Sequence, residues 1–229
     1  LPIIETSSII LIWGGSKYLT ILDISCERND TRLRILAVSD FESKYIWDYF
    51  DPTVFKGVDI IISCGDLKAF YLSFLVTMIP APLFYICGNH DGAYIAQPPL
   101  GCESVEGRII EYKGLKIGGL GGSRGNKPDS LLYTEAQMAR RVKRFEWEVR
   151  KKRGIDIFMT HSPMLGIGDG KDETHRGYEC FLNFNSEYKP KLHLFGHLHL
   201  SGSPVNKGAV FKYGSTTAIN VSGYRLIDI

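Results

Sequence analysis

Five short apolar runs, each ending in polar or ionisable residues, constrain this chain more than any other feature. They are LRILAVSD (33–40), VDIIISCGD (58–66), PLFYICGNHD (82–91), IDIFMTHSP (155–163) and KLHLFGHLH (191–199). Each is nearly continuous rather than alternating, which is the pattern of a strand covered on both faces. Helix-period segments lie between them. SKYIWDYF (43–50) stops before Asp51 and Pro52, and LKAFYLSFLVTMI (67–79) stops at Pro80. The clearest helix runs from Thr134 to about Arg153. Thr134 and Gln137 have capping-box spacing, and Met138, Val142, Phe145 and Val149 form an apolar stripe. A fourth helix is expected over about 176–188, ending before Pro190.

Strands alternating with helices predict an α/β fold with parallel pairing and right-handed crossovers. Two regions depart from that rhythm. GRIIEYKGLKIGGLGG (107–122) reads as a hairpin about Lys113 and Gly114, and residues 208–229 read as two or more strands. They call for a second sheet or for antiparallel edges on the first. Residues 1–30 are read as an N-terminal extension or a β-hairpin, with residues 31–229 as the main domain.

Composition narrows the class. The 229 residues are 44% hydrophobic, enough for a full core, and the net charge is +2. So balanced a charge argues against a dedicated nucleic-acid binder. The five cysteines include no CxxC pair, and Cys64 and Cys87 sit inside strand-like runs. Reduced, structural thiols and a cytoplasmic setting are expected. No apolar run approaches the roughly 18 residues of a membrane span. The IILIW stretch near the N-terminus is short for a signal-peptide core.

Polar groups collect at the strand ends: Asp40, Asp66, then Asn89, His90 and Asp91, then His161, then His197 and His199. Ligands of an open parallel sheet bind at the carboxyl ends of its strands, so these groups are expected to meet at one edge of one sheet. Two carboxylates held close together need a balancing cation. Neutral imidazole, carboxylate and amide oxygen are the donor set of Mn, Fe or Zn. Taken singly, an Asp after a strand is a turn former and a His a structural residue. Five successive strand ends, each with a potential ligand, make metal binding the more economical account.

These blocks resemble the calcineurin-like metallophosphoesterase superfamily: Asp40, Gly65-Asp66, Gly88-Asn89-His90-Asp91, Thr160-His161 and Gly196-His197-Leu198-His199. The resemblance implies a four-layer α/β/β/α sandwich, two mixed β-sheets flanked by helices. It implies two divalent metal ions, Mn2+ or an Fe/Mn pair, with Zn2+ as the alternative. One would be held by Asp40, Asp66 and His199, the other by Asp66, Asn89, His161 and His197. His90 would stand beside the leaving oxygen as proton donor, and Asp91 would orient its ring. The family's first block usually reads Asp-x-His, and here Glu42 stands in the His position. Direct ligation by Glu42, ligation through a water and capping of the helix near Ser43 are left open.

The resemblance further implies hydrolysis of phosphate esters by a metal-bridging hydroxide, on phosphodiesters of small molecules such as cyclic nucleotides. A binding scaffold with a weakened first site is the alternative, with a nuclease a third reading. The glycine-rich loop at 118–130 brings Arg124 as a candidate phosphate contact. The loop at 166–179 resembles one in a bacterial branch of predicted phosphoesterases, and places His175 and Arg176 as candidate substrate contacts. The expected partner is a small-molecule phosphoester, with neither membrane nor nucleic acid; self-association is left open.

Overall fold

The computed structural model describes residues 21–22, 32–127, 130–199 and 209–229. The first half contains β1 (Ile21–Leu22), β2 (Arg34–Ser39), α1 (Lys44–Trp47), β3 (Val58–Ser63), α2 (Ala69–Met78), β4 (Leu83–Tyr85) and β5 (Cys102–Ser104). A hairpin of β6 (Ile109–Tyr112) and β7 (Leu115–Leu120) follows, then the short β8 (Ser123–Arg124) and β9 (Leu132–Tyr133). The remainder is α3 (Glu135–Lys151), β10 (Ile157–Thr160), α4 (Glu179–Tyr188), β11 (Leu192–Phe195), β12 (Val210–Tyr213), β13 (Thr216–Asn220) and β14 (Gly223–Asp228).

Two six-stranded mixed sheets carry the fold, in the orders β1-β14-β2-β3-β4-β5 and β12-β13-β11-β10-β7-β6. Strands β2 to β5 are parallel, and β14 runs antiparallel to β2. In the second sheet β13, β11, β10 and β7 are parallel, with β12 and β6 as antiparallel edges. The five strands expected in a single sheet are therefore divided: β2, β3 and β4 in the first, β10 and β11 in the second. Continuous apolar runs explain why the sequence alone does not separate these cases. They report that both faces of a strand are covered, not by which layer.

Three apolar layers follow from the strand pleat. Along β2, Ile35 and Ala37 face the second sheet and pack with Ile157, Met159, Leu192 and Leu194. Leu36 and Val38 face the other way, against Ile46 of α1 and Tyr71, Leu72 and Leu75 of α2. The outer face of the second sheet packs Phe158 and Phe195 against Met138, Val142, Phe145 and Val149 of α3 and Phe181 and Phe184 of α4. Full burial of one such side chain is worth about 1.5–3 kcal/mol. The layers are helices, sheet, sheet, helices, the four-layer sandwich expected.

Local boundaries have local causes. The capping box of α3 forms as expected: the Gln137 amide N–H donates to the Thr134 hydroxyl, and the Thr134 N–H donates to the Gln137 side chain. Helix α1 is shorter than the expected 43–50, because Asp51 accepts from both the N–H and the hydroxyl of Thr53 and winds the chain into a turn. Helix α4 starts at Glu179 rather than near 176, because Gly177 lies against the backbone of Met164, where a Cβ would come within 2.3 Å. Ile21 and Leu22 pair parallel with Leu226 and Ile227. The rest of the extension or hairpin expected over 1–30, Cys26 included, lies outside the described residues but for this strand. Cys64, Cys87, Cys102 and Cys180 are free thiols. Among the described residues no helix is long and apolar enough to cross a membrane.

Candidate metal centre

The strand ends of both sheets open on the same edge, and the loops that follow are held by backbone bonds. Asp40 N–H donates to Gly65 O at 3.0 Å, and Gly196 N–H donates to His161 O at 3.0 Å. Asp40, Asp66 and His197 all take positive φ, at 69°, 57° and 68°. That conformation costs a non-glycine residue of order 1–3 kcal/mol and is retained where the surroundings over-determine it. Gly88 admits the crossing of two loops: a Cβ there would sit 2.1 Å from Asp66 Oδ1. Gly196 does the same for the Asp40 loop, where a Cβ would sit 2.0 Å from the Ser39 hydroxyl.

Asp66, His161 and His197 each offer a ligand atom, and these atoms lie within 4.8 Å of one another. Asn89 joins them, with its Oδ1 3.1 Å from His161 Nε2. His161 Nδ1 lies 2.8 Å from the carbonyl oxygen of Cys64, which fixes the proton on Nδ1. Its Nε2 then points a lone pair at two oxygens, Asn89 Oδ1 and Asp66 Oδ2, the latter at 3.2 Å. A lone pair facing two acceptors calls for a proton or a cation between them. Burial opposes charge on His161, but the hydrogen bond and charge of Asp66, with Asp40 beyond, hold the imidazole above its ordinary value. Burial likewise raises Asp66, and the His161 and His90 contacts more than reverse it, leaving it below the usual carboxylate range. His197 is pushed down to about 4 by burial and by the neighbouring His161.

Asp40 supplies a second sign. Its Oδ1 accepts the His197 N–H at 2.8 Å, while its buried Oδ2 has no hydrogen-bond partner. An orphaned buried carboxylate oxygen beside three clustered donors fits a cation. The residues present therefore fit the metal ions implied by the sequence blocks, most completely at Asp66, Asn89, His161 and His197.

The remaining predicted residues separate into those near the centre and those tied elsewhere. His199 is exposed, with its ring edge-on to Phe41 at 6.5 Å between centroids. Glu42 lies 3.6 Å from Lys68 Nζ, and no side-chain cap binds the N-terminus of α1. The helix-capping alternative for Glu42 is thereby set aside. His90 is anchored through its N–H, which donates to Asp66 Oδ1 at 2.8 Å, and its ring is free in solvent 3.9 Å from Asp66 Oδ2.

Asp91 does not orient that ring. Its Oδ2 accepts from the N–H groups of Asp66 and Gly88, both at 2.7 Å, so it fixes the two ligand loops to each other. Burial pushes Asp91 up to about 6, against the pull of those two bonds. Arg124 does not face the centre as a free cation either. Its guanidinium binds Glu135 at 2.6 Å and Gly177 O at 2.8 Å, and lies over the Tyr178 ring. His175 does reach the centre's margin: its ring lies 5.1 Å from that of His197, with Nδ1 on Asp172 at 2.8 Å. Arg176 is exposed on the same loop.

Three contributors escape sequence reading. The carbonyl of Cys64 orients His161, and the carbonyl of Thr174 accepts from His197 Nε2 at 2.8 Å. Backbone oxygens leave no mark in residue type. The Ser39 hydroxyl, which donates to Gly65 O at 3.0 Å, carries at most the signal of a serine just before Asp40.

A family model described as calcineurin-like phosphoesterase matches residues 33–201, which contain every residue of this centre. The chain belongs to the calcineurin-like phosphoesterase family. Solved structures agree in fold. The crystal structure of TT1561 from Thermus thermophilus is 16% identical, with a TM-score of 0.55 over 84% of this chain and 90% of that one. The crystal structure of phosphopantetheinyl hydrolase (PptH) from Mycobacterium tuberculosis is 13% identical, with a TM-score of 0.50 over 84% and 89%. No curated protein sequence matches the chain.

Proposed function

We propose that this chain is a metal-dependent phosphoesterase acting on phosphodiesters of small molecules, cyclic nucleotides being the first to assay. The observation that carries the reading is the gathering of Asp66, His161 and His197 within 4.8 Å beside the orphaned oxygen of Asp40. Two divalent ions, Mn2+ or an Fe/Mn pair before Zn2+, suit the mixed oxygen and imidazole donors. Asp66, Asn89, His161 and His197 would hold one; Asp40, Asp66 and His199 would hold the other, with Glu42 beside it. The chemistry such ions supply when bound is neutralisation of phosphoryl charge and acidification of water.

The chain's own groups do the rest. His161 is locked in one tautomer by Cys64 O, so its Nε2 is presented without rotamer or proton ambiguity. Asp91 ties the Asp66 and Gly88 loops together, which keeps Asp66 and Asn89 in register. The His90 ring, anchored next to Asp66 yet exposed, is placed to give a proton to a departing oxygen, a role typically worth about 10²–10⁴-fold. His175 and Arg176, on the loop beside His197, are candidates for contact with a substrate anion.

The test is an assay of stripped protein reloaded with Mn2+, using bis(p-nitrophenyl) phosphate against p-nitrophenyl phosphate. Diester turnover that requires metal and falls by at least 100-fold in His90→Ala supports the reading. A folded protein silent in every metal condition would leave the scaffold reading instead.

A further inference from the structure

A cavity of about 690 Å³ opens beside the metal centre. Its lining joins Asp40, Asp66 and His90 to the side chains of Phe41, Phe70 and Tyr94. The described residues expose seven large hydrophobic side chains, and two of them line this cavity. Phe41 and Phe70 line the cavity while 51% and 74% exposed. Ile95, 87% exposed, follows directly on Ala93 and Tyr94 of the lining. Leu100, 77% exposed, is fastened by its N–H to the Ser73 hydroxyl at 2.9 Å, one turn along α2 from Phe70. Apolar exposure concentrated at the mouth of one concave site marks a binding surface rather than scattered surface residues.

Phe70 is also backed. Trp47 lies edge-on to it at 5.6 Å between centroids and packs behind on Tyr71 and Phe74. The outward face of a buttressed ring is thus offered to the cavity. Besides the centre and its neighbours, the polar lining comprises Lys68, which lies against Glu42, and Gln97. That is a thin set of partners for the hydrogen-bonding edge of a nucleobase.

We infer that the substrate of this site is an amphiphilic phosphate ester, whose alkyl or aryl substituent seats on Phe70 and Phe41 while its phosphate meets the metal centre. The inference rests on the phosphoesterase reading and, within it, sets apolar esters ahead of the cyclic nucleotides named for a first assay.

A series of methyl, butyl and octyl p-nitrophenyl phosphates, each below its micelle concentration, tests it with the Mn2+-loaded protein. Half of the full transfer value predicts that kcat/KM rises about twofold per added methylene. Phe70→Ala flattens that slope, and Phe70→Leu retains most of it. A flat series in the unmutated protein overturns the inference, as does thymidine 5'-p-nitrophenyl phosphate outrunning the octyl ester. Absence of turnover with every ester strikes the phosphoesterase reading instead. Calorimetric titration with octyl phosphate and methyl phosphate then decides the inference by binding alone: octyl phosphate tighter by about tenfold or more supports it, and equal affinities overturn it.

Discussion

His161 turns its two ring nitrogens to different tasks: Nδ1 lies 2.8 Å from the carbonyl oxygen of Cys64, and Nε2 lies 3.2 Å from Asp66 Oδ2. The first contact sets the tautomer; the second gives the lone pair a carboxylate neighbour and, with Asn89, no donor. Removing the Asp66 carboxylate or the imidazole itself removes the reason for a cation to bind. Titration with Mn2+ is therefore expected to show binding in the unmutated protein and at least a 100-fold loss in Asp66→Asn and His161→Gln. Metal at about 100 times its Kd stabilises the native state by about 2.7 kcal/mol. For a chain of this size that raises Tm by about 5–10 °C. Chelation should reverse the shift in the unmutated protein and leave Asp66→Asn unmoved; equal shifts in both would remove Asp66 from the centre.

Glu42 stands where the resemblance to the family implies a histidine, and its nearest cation is the exposed Lys68 at 3.6 Å. Exposed pairs of this kind are worth little, so Lys68 does not hold Glu42 away from a metal. Glu42→His is expected to restore the usual donor and tighten the weaker of two Mn2+ sites by roughly tenfold, the scale on which ligand shells tune metal affinity. Glu42→Ala should weaken the same site and leave the tighter one unchanged. A single site, unaltered by either substitution, would show that Glu42 takes no part.

The sequence carried the residues gathered at the candidate centre further than it carried their arrangement. Asp40, Asp66, Asn89, His161 and His197 stand at strand ends, and strand ends are legible because apolar runs stop there. Which sheet each strand joins is not legible, because Leu36 and Ile35 look alike whether they face a helix or another sheet. Roles that depend on direction were missed for the same reason. Asp91 reads as a partner of the adjacent His90, yet its carboxylate turns back to two N–H groups. Arg124 reads as a free cation in a glycine-rich loop, yet Glu135, eleven residues on, folds back to claim it.

Helix α3 gives a test of local coding that is independent of the centre. Both halves of its capping box are formed between Thr134 and Gln137. Thr134→Ala leaves the Gln137 N–H without its side-chain acceptor and is expected to cost about 1 kcal/mol. Urea unfolding reads this as a lower midpoint at constant slope. Thr134→Ser and Thr134→Asp should keep most of the stability, and an alanine variant indistinguishable from the unmutated protein would mean the cap contributes nothing.

His193 provides a pH dependence that does not involve the ligand set. Its ring lies among Phe158, Phe181 and Phe195. Nδ1 accepts from the Asn185 amide at 3.0 Å. Nε2–H donates to the Thr160 hydroxyl at 2.8 Å, and that hydroxyl donates to Ser162 O at 2.6 Å. Both ring nitrogens are thus satisfied in the neutral form, and burial pushes the pKa down to about 3. The unfolded chain takes up this proton near pH 6.5, the folded chain only near 3, so the unfolded state binds more protons between those values. Stability from this group is therefore complete above about pH 6.5 and falls as the solution is acidified, by at most about 1.4 kcal/mol per pH unit. His193→Gln, which has no proton to gain, should show a shallower decline between pH 6.5 and 4 in urea unfolding at fixed ionic strength. Parallel declines in the two proteins would show that His193 titrates alike in both states and that its burial sets no acid limit.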